Sequence, residues 1–107
     1  MADDKPLLVF FTSRRSGPAR RMESLLAHLA RKERTRVHVM RVDVEAQPDL
    51  AAKFRVVTVP TLVLVKRKRA VDRIAGRASA PVIEAMLARH FEERAALKPA
   101  QNVPSSS

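Results

Sequence analysis

Apolar positions in this 107-residue chain follow two periods. Leu7-Leu8-Val9-Phe10-Phe11 and Thr61-Leu62-Val63-Leu64-Val65 are short continuous runs, rich in β-branched and aromatic residues. Such runs predict strands buried on both faces. Val37, Val39, Met40, Val42 and Val44 predict another strand, nearly apolar on both sides, and Val71 to Ile74 predicts a fourth. Between them the period changes. Met22, Leu25, Leu26 and Leu29 recur at i, i+3, i+4 and i+7, which marks one buried face of a helix. Pro48 opens a short helix carrying Leu50, Ala51 and Phe54. Val82, Ile83, Met86, Leu87, His90 and Phe91 lie at helical spacing and predict the last element.

The polar residues between these segments read as boundaries. Thr12 to Arg15 turns the chain, and Ser16 can cap a helix that begins at Gly17-Pro18, since proline is tolerated in a first turn. Arg31 to Arg36 ends that helix. Lys66-Arg67-Lys68-Arg69 suits a hairpin link, although it lacks the usual glycine or asparagine. Gly76 breaks the fourth strand, Ser79 can cap the last helix, and Pro99 stops it. The order is β-α-β-α-β-β-α, an α/β fold with a four-stranded mixed sheet flanked by helices on both faces. Two helical crossovers predict that the first three strands run parallel, with the final hairpin adding an antiparallel edge. Residues 1–6 form an N-terminal extension, 7–97 the domain, and 98–107 a polar tail expected to be disordered.

Composition narrows the chemistry. There is no cysteine, which excludes a disulfide framework, a thiolate metal site and a cysteine nucleophile. No apolar run approaches the roughly 20 residues of a membrane helix, and no secretory leader pattern opens the sequence. A soluble, cytoplasmic protein is the expectation. The net charge is +10, carried mostly by arginine, which favours anionic partners. Arg-rich composition with a solvated surface accounts for the same number without a site.

Several local features then agree in order. The strand ending at Phe11 leads into Arg15-Ser16-Gly17-Pro18-Ala19 at a helix start. Val42-Asp43-Val44 is followed by Pro48 and a short helix. Val59-Pro60-Thr61 precedes a buried strand, and Gly76 follows the last one. From about Leu7 to Phe91 the chain resembles the thioredoxin family, and the element order is that of the minimal thioredoxin fold. The resemblance implies that Ser16 and Ala19 stand where the two redox cysteines sit, and Arg15 where a tryptophan sits. It implies that Phe10 replaces a buried aspartate, and that Arg41 falls where a buried lysine often lies. It also implies a cis peptide at Pro60. Thiols and proton relay are thus missing together, which fits a natural redox-silent relative better than a cysteine mutant. Little sequence precedes Leu7, so the family's usual first strand and helix are mostly absent. The strand at 37–42 is then an edge open to pairing with another chain, a possible dimer contact, with Arg36, His38 and Arg41 as guards.

On that fold Arg15, Ser16, Gly17, Pro18, Val59, Pro60, Ala75 and Gly76 would form a shallow apolar groove. Arg14, Arg20, Arg21 and Arg77 would rim it. Arg31, Lys32, Arg34, Arg36 and Lys66 to Arg69 would lie at the opposite pole, because the first helix and third strand lead away from the groove. Ser16 is read first as an N-cap; as a hydroxyl beside backbone amides it is also a candidate for binding an anion or thiolate. It has no histidine nearby to act as a base for nucleophilic attack. His28, His38 and His90 show no metal-ligand spacing, so no metal is implied, and no cofactor either. Asp43 and Glu45 read as turn residues, Glu92 and Glu93 as an exposed helix end. The leading expectation is a non-redox binding module for a protein or acidic peptide, and not an enzyme. The alternatives are a thiol–disulfide oxidoreductase in cysteine-substituted form and a basic nucleic-acid-associated module. The last lacks aromatic residues interleaved with its charges.

Overall fold

The computed structural model describes residues 5–96. Its elements are β1 (Leu7–Thr12), α1 (Gly17–Lys32), β2 (His38–Asp43), α2 (Pro48–Lys53), β3 (Thr61–Lys66), β4 (Arg69–Ala75) and α3 (Ala80–Ala96). They form one four-stranded sheet in the order β2-β1-β3-β4. The sheet is packed on both faces, and the side chains of β1 and β3 alternate between two cores. Leu8, Phe10, Leu62 and Leu64 point to the side of α1 and α3, where they meet Met22, Leu26, Leu29, Ile83, Met86 and Leu87. Val9, Phe11, Val63 and Val65 point the other way, toward Ala51 and the half-buried Leu50 and Phe54. This double burial is why both strands read as unbroken apolar runs.

The expectation of three parallel strands is corrected. β1 pairs with β2 in parallel, Leu7 opposite His38 through Thr12 opposite Asp43. β3, however, lies antiparallel to β1, with Phe11 opposite Thr61 and Leu7 opposite Val65. The reason is the length of α2. Its six residues rise only about 9 Å, while a six-residue strand spans about 20 Å. The crossover therefore never carries the chain back to the start of β2. It enters β3 at the end of the sheet it had just reached.

Three further expectations need adjustment. β2 is an edge strand, and its pattern is mixed: Val42 is buried, but Met40 is 39% exposed. Val82, read at helical spacing in the last element, is 50% exposed, because it lies about 100° around α3 from the fully buried Ile83. The β3–β4 hairpin is tighter than the four-residue link suggested. Its two central residues, Arg67 and Lys68, adopt φ of 52° and 71° without glycine or asparagine. β4 accordingly begins at Arg69, before Val71. Pro99 and the polar tail lie outside the described residues.

Candidate functional site

The C-terminal end of β1 organises the site. Thr12 and Ser13 look like surface turn residues in sequence, yet both are buried. Ser13 builds the turn: its carbonyl accepts from Ser16 N at 3.1 Å and its Oγ from Arg15 N at 3.1 Å. Ser16 is the N-cap of α1, with Oγ accepting from Ala19 N at 3.1 Å. One orphan donor of the first turn is thereby satisfied. Ala19 is fully buried, while Gly17 is exposed and Pro18 half-buried.

Register places the other candidate residues at the same end. Phe11 is opposite Thr61, and Thr61 is opposite Ala75. The Val59–Pro60 peptide is cis. Pro60 is buried, and its carbonyl accepts from Gly76 N at 2.8 Å. Gly76 has φ +91°, a conformation that favours glycine. Thr61 Oγ1 donates to Thr58 O at 2.7 Å and closes the loop from the other side. Val59 is half-buried and Ala75 exposed. Ser16, Pro60 and Gly76 thus come from three separate parts of the chain to one end of the sheet.

Arg14, Arg20, Arg21 and Arg77 are all exposed. Arg15 is also exposed, and its Nε lies 3.4 Å from Glu45 Oε2. This contact links the α1 turn to the loop after β2, a role that the turn reading of Glu45 did not foresee. Asp43 does act in that turn, with Oδ1 accepting from Glu45 N at 2.8 Å. The opposite pole carries Arg67 and Lys68 at the hairpin tip, and the end of α1 with Arg31 and Lys32. Arg36 there sits over the Phe91 ring at 4.7 Å.

The two positions where the resemblance implies a buried aspartate and a buried lysine face each other across the β1–β2 ladder, Phe10 opposite Arg41. Phe10 is 1% exposed, in the core beneath α1. Arg41 is exposed, where the resemblance pointed to a buried position. Its Nη2 and Nε reach Glu23 Oε2 at 3.1 and 3.3 Å, and Thr12 Oγ1 approaches the same oxygen at 3.5 Å. The interior here is uncharged, and Arg41 and Glu23 pair at the surface. A charged group there keeps most of its hydration, and phenylalanine fills the space below.

Sequence reasoning singled out Val59 and Pro60 but missed the first part of the loop between α2 and β3. Val57 is 94% exposed there, just before the cis peptide. Arg55 has φ 57°, and the Arg73 guanidinium donates to the carbonyls of Phe54 and Arg55. Phe54 in turn stacks obliquely on Phe11, with centroids 5.8 Å apart. No sequence period marks such a loop, because its contacts are made by backbone carbonyls.

Of the histidines, His28 and His38 are exposed. His90 is half-buried, with Nε2 3.1 Å from Asp72 Oδ2, and Arg89 Nη2 donates to the same oxygen at 2.7 Å. Burial pushes the Asp72 carboxyl up. Hydrogen bonds from Arg89, His90 and Arg73 N outweigh it and hold the group below its ordinary value. The cluster ties α3 to β4 and lies away from Ser16. Among the described residues no group of three or more His, Asp or Glu is arranged to hold a metal, and no helix is long and apolar enough to cross a membrane.

Comparison with known proteins agrees with this architecture. The thioredoxin family model matches residues 1–89. A thioredoxin from Alicyclobacillus acidocaldarius is 34% identical over 85 residues, which cover 79% of this chain and 81% of that protein. A thioredoxin from Mycobacterium tuberculosis is 36% identical over 76 residues, 71% of this chain and 66% of that protein. The chain spans only 17% of a similar bifunctional thioredoxin reductase/thioredoxin from Mycobacterium leprae. Among solved structures, the germline-specific thioredoxin Deadhead of Drosophila melanogaster superposes with TM-score 0.76 at 31% identity, over 81% of this chain and 82% of that one. The sheet order, the helix start at Ser16 and these matches define a thioredoxin-fold protein. The chain belongs to the thioredoxin family, as a degenerate member in which Ser16-Gly17-Pro18-Ala19 occupies the Cys-Gly-Pro-Cys segment and no cysteine occurs anywhere.

Proposed function

We propose that this protein is a non-redox binding module that holds an extended acidic peptide at the face formed by the α1 start, the Val59–Pro60 loop and Gly76. Disulfide exchange needs a thiolate nucleophile, and the chain has none to supply. The observation that carries the reading is what persists without the thiols. The hydrogen bond between Pro60 and Gly76 and the Ser16-capped helix are both present. An extended peptide can be gripped by such a face through backbone contacts, which require no sulfur. Arg14, Arg15, Arg20, Arg21 and Arg77 would select carboxylate side chains, since guanidinium groups bind them in a forked geometry. The four phenylalanines all pack within the two cores, which leaves the charged surface without a base-stacking platform. That disfavours a nucleic-acid role.

A glutamate-rich fluorescent peptide tests the proposal by anisotropy. Joint Arg14→Ala and Arg15→Ala substitution is expected to weaken its binding about tenfold, and Val59→Ala to weaken it further. Affinity unchanged by all three substitutions would remove this face from consideration.

A further inference from the structure

We infer, on the reading proposed above, that Arg73 is a positioning residue for the peptide face: its guanidinium ties the α2–β3 loop to β4 and holds Val57, Thr58 and Val59 in place for the partner. Arg73 lies opposite Val63, so it stands on the α2 side of the sheet. From there its two Nη groups donate to successive carbonyls, Phe54 O and, at 3.4 Å, Arg55 O. Three residues further along the chain, Gly76 N donates to Pro60 O at 2.8 Å. The loop from 54 to 60 is thus fastened at both ends, by Arg73 of β4 and by the residue that follows β4.

Between the two ties the backbone is left for a partner. Among the described residues, the N–H and carbonyl of Val57 and Val59 and the N–H of Thr58 make no hydrogen bond within the chain. Thr58 O accepts from Thr61 Oγ1, and Val57 and Thr58 are exposed. Unpaired backbone groups of this kind are what an extended peptide can pair with.

The start of the loop needs the tie most. Arg55 has φ 57°, a left-handed conformation that is unfavourable for a residue with a Cβ. Its N–H donates to Ala52 O and that of Val56 to Ala51 O, contacts that reach only α2. Phe54 and Val56 pack on the core, which sets where the loop begins but not which way its peptide groups point. The two bonds from Arg73 set that direction, because the guanidinium donors form a rigid planar fork. A loop already ordered in the free protein loses less freedom when it binds, and its affinity is correspondingly higher. Lysine at this position would keep the charge without the fork, which separates a tie from simple attraction of an acidic partner.

Arg73→Lys and Arg73→Met, with the glutamate-rich peptide followed by anisotropy and the backbone by nitrogen-15 relaxation, test the assignment. Both substitutions are expected to weaken binding about tenfold. In the free protein the order parameters of the Val57, Thr58 and Val59 amides are expected to fall from about 0.85 to below about 0.6, while those of Phe11 and Leu64 stay rigid. Saturating peptide should restore them. Parental affinity in Arg73→Lys with loss only in Arg73→Met would assign the effect to charge and overturn the proposal. Unchanged order at Val57 to Val59 would overturn it too, as would an equal loss of order at Phe11 and Leu64, the mark of general destabilisation. A parent that does not bind the peptide sinks the underlying reading. A parent whose binding depends on Arg14 and Arg15 but not on Arg73→Lys sinks the role of Arg73 alone.

Discussion

Two glycines at the Ser16 face are held for different reasons. A Cβ on Gly17 would meet only the Arg21 guanidinium, at 3.7 Å, which is ordinary contact. Gly17 also opens a helix, where alanine is the better former. Gly17→Ala should therefore be neutral or stabilising by up to about 1 kcal/mol. Gly76 meets nothing within 4 Å, but its φ of +91° penalises any Cβ. Gly76→Ala should cost about 1–2 kcal/mol, read from the urea midpoint. If the two substitutions shift the midpoint equally, backbone conformation is not what retains Gly76. Phe10 makes a stronger case. Restoring a carboxylate there with Phe10→Asp would place it at a position 1% exposed, among Leu and Met side chains. Arg41 cannot compensate, because its guanidinium is directed to Glu23. A loss of about 3–5 kcal/mol is expected. A variant within 1 kcal/mol of the parent would mean that the interior accepts the charge.

At the scale of elements, continuous apolar runs, helical spacing and Pro48 located all seven segments, because the central strands are buried on both faces and α1 on one. Directions and ends were harder to read. The antiparallel run of β3 follows from how far α2 can reach, and the two-residue hairpin at Arg67–Lys68 carries no turn-forming residue to announce it. The α3–β4 junction was likewise hidden, since no local period links Asp72 to Arg89 and His90. The Asp72 carboxyl, held below the ordinary value in the folded state, contributes stability at neutral pH. The sign follows from linkage. The unfolded carboxyl protonates near pH 3.9, so the contribution is complete above that value. It is lost as pH falls through the lower, folded value. Asp72→Asn should cost about 1 kcal/mol at pH 7, and the difference from the parent should vanish once Asp72 itself is protonated in acid. An equal difference at both pH values would show that Asp72 acts by packing and not by charge.

For the whole molecule, charge is the dominant feature and topology distributes it. Arg14, Arg15, Arg20, Arg21 and Arg77 surround one end of the sheet, and Arg31, Lys32, Arg67 and Lys68 lie at the other. Binding of the glutamate-rich peptide should weaken steadily as salt rises from 50 to about 300 mM, because exposed charges are screened within about 10 Å at 0.1 M. Salt-independent affinity would point to apolar contact alone. The sequence by itself determined that no thiol chemistry is possible, that a Ser-capped helix follows β1, and that a thioredoxin-type order of elements is present. Each of these depends on residue identity or local period. Only the tertiary structure decided the direction of β3, the surface pairing of Arg41 with Glu23, the display of Val57 and the Arg73 tie from β4 to the α2–β3 loop. These arise where segments distant in sequence meet, and local pattern carries no record of which neighbour a side chain or a backbone edge will find.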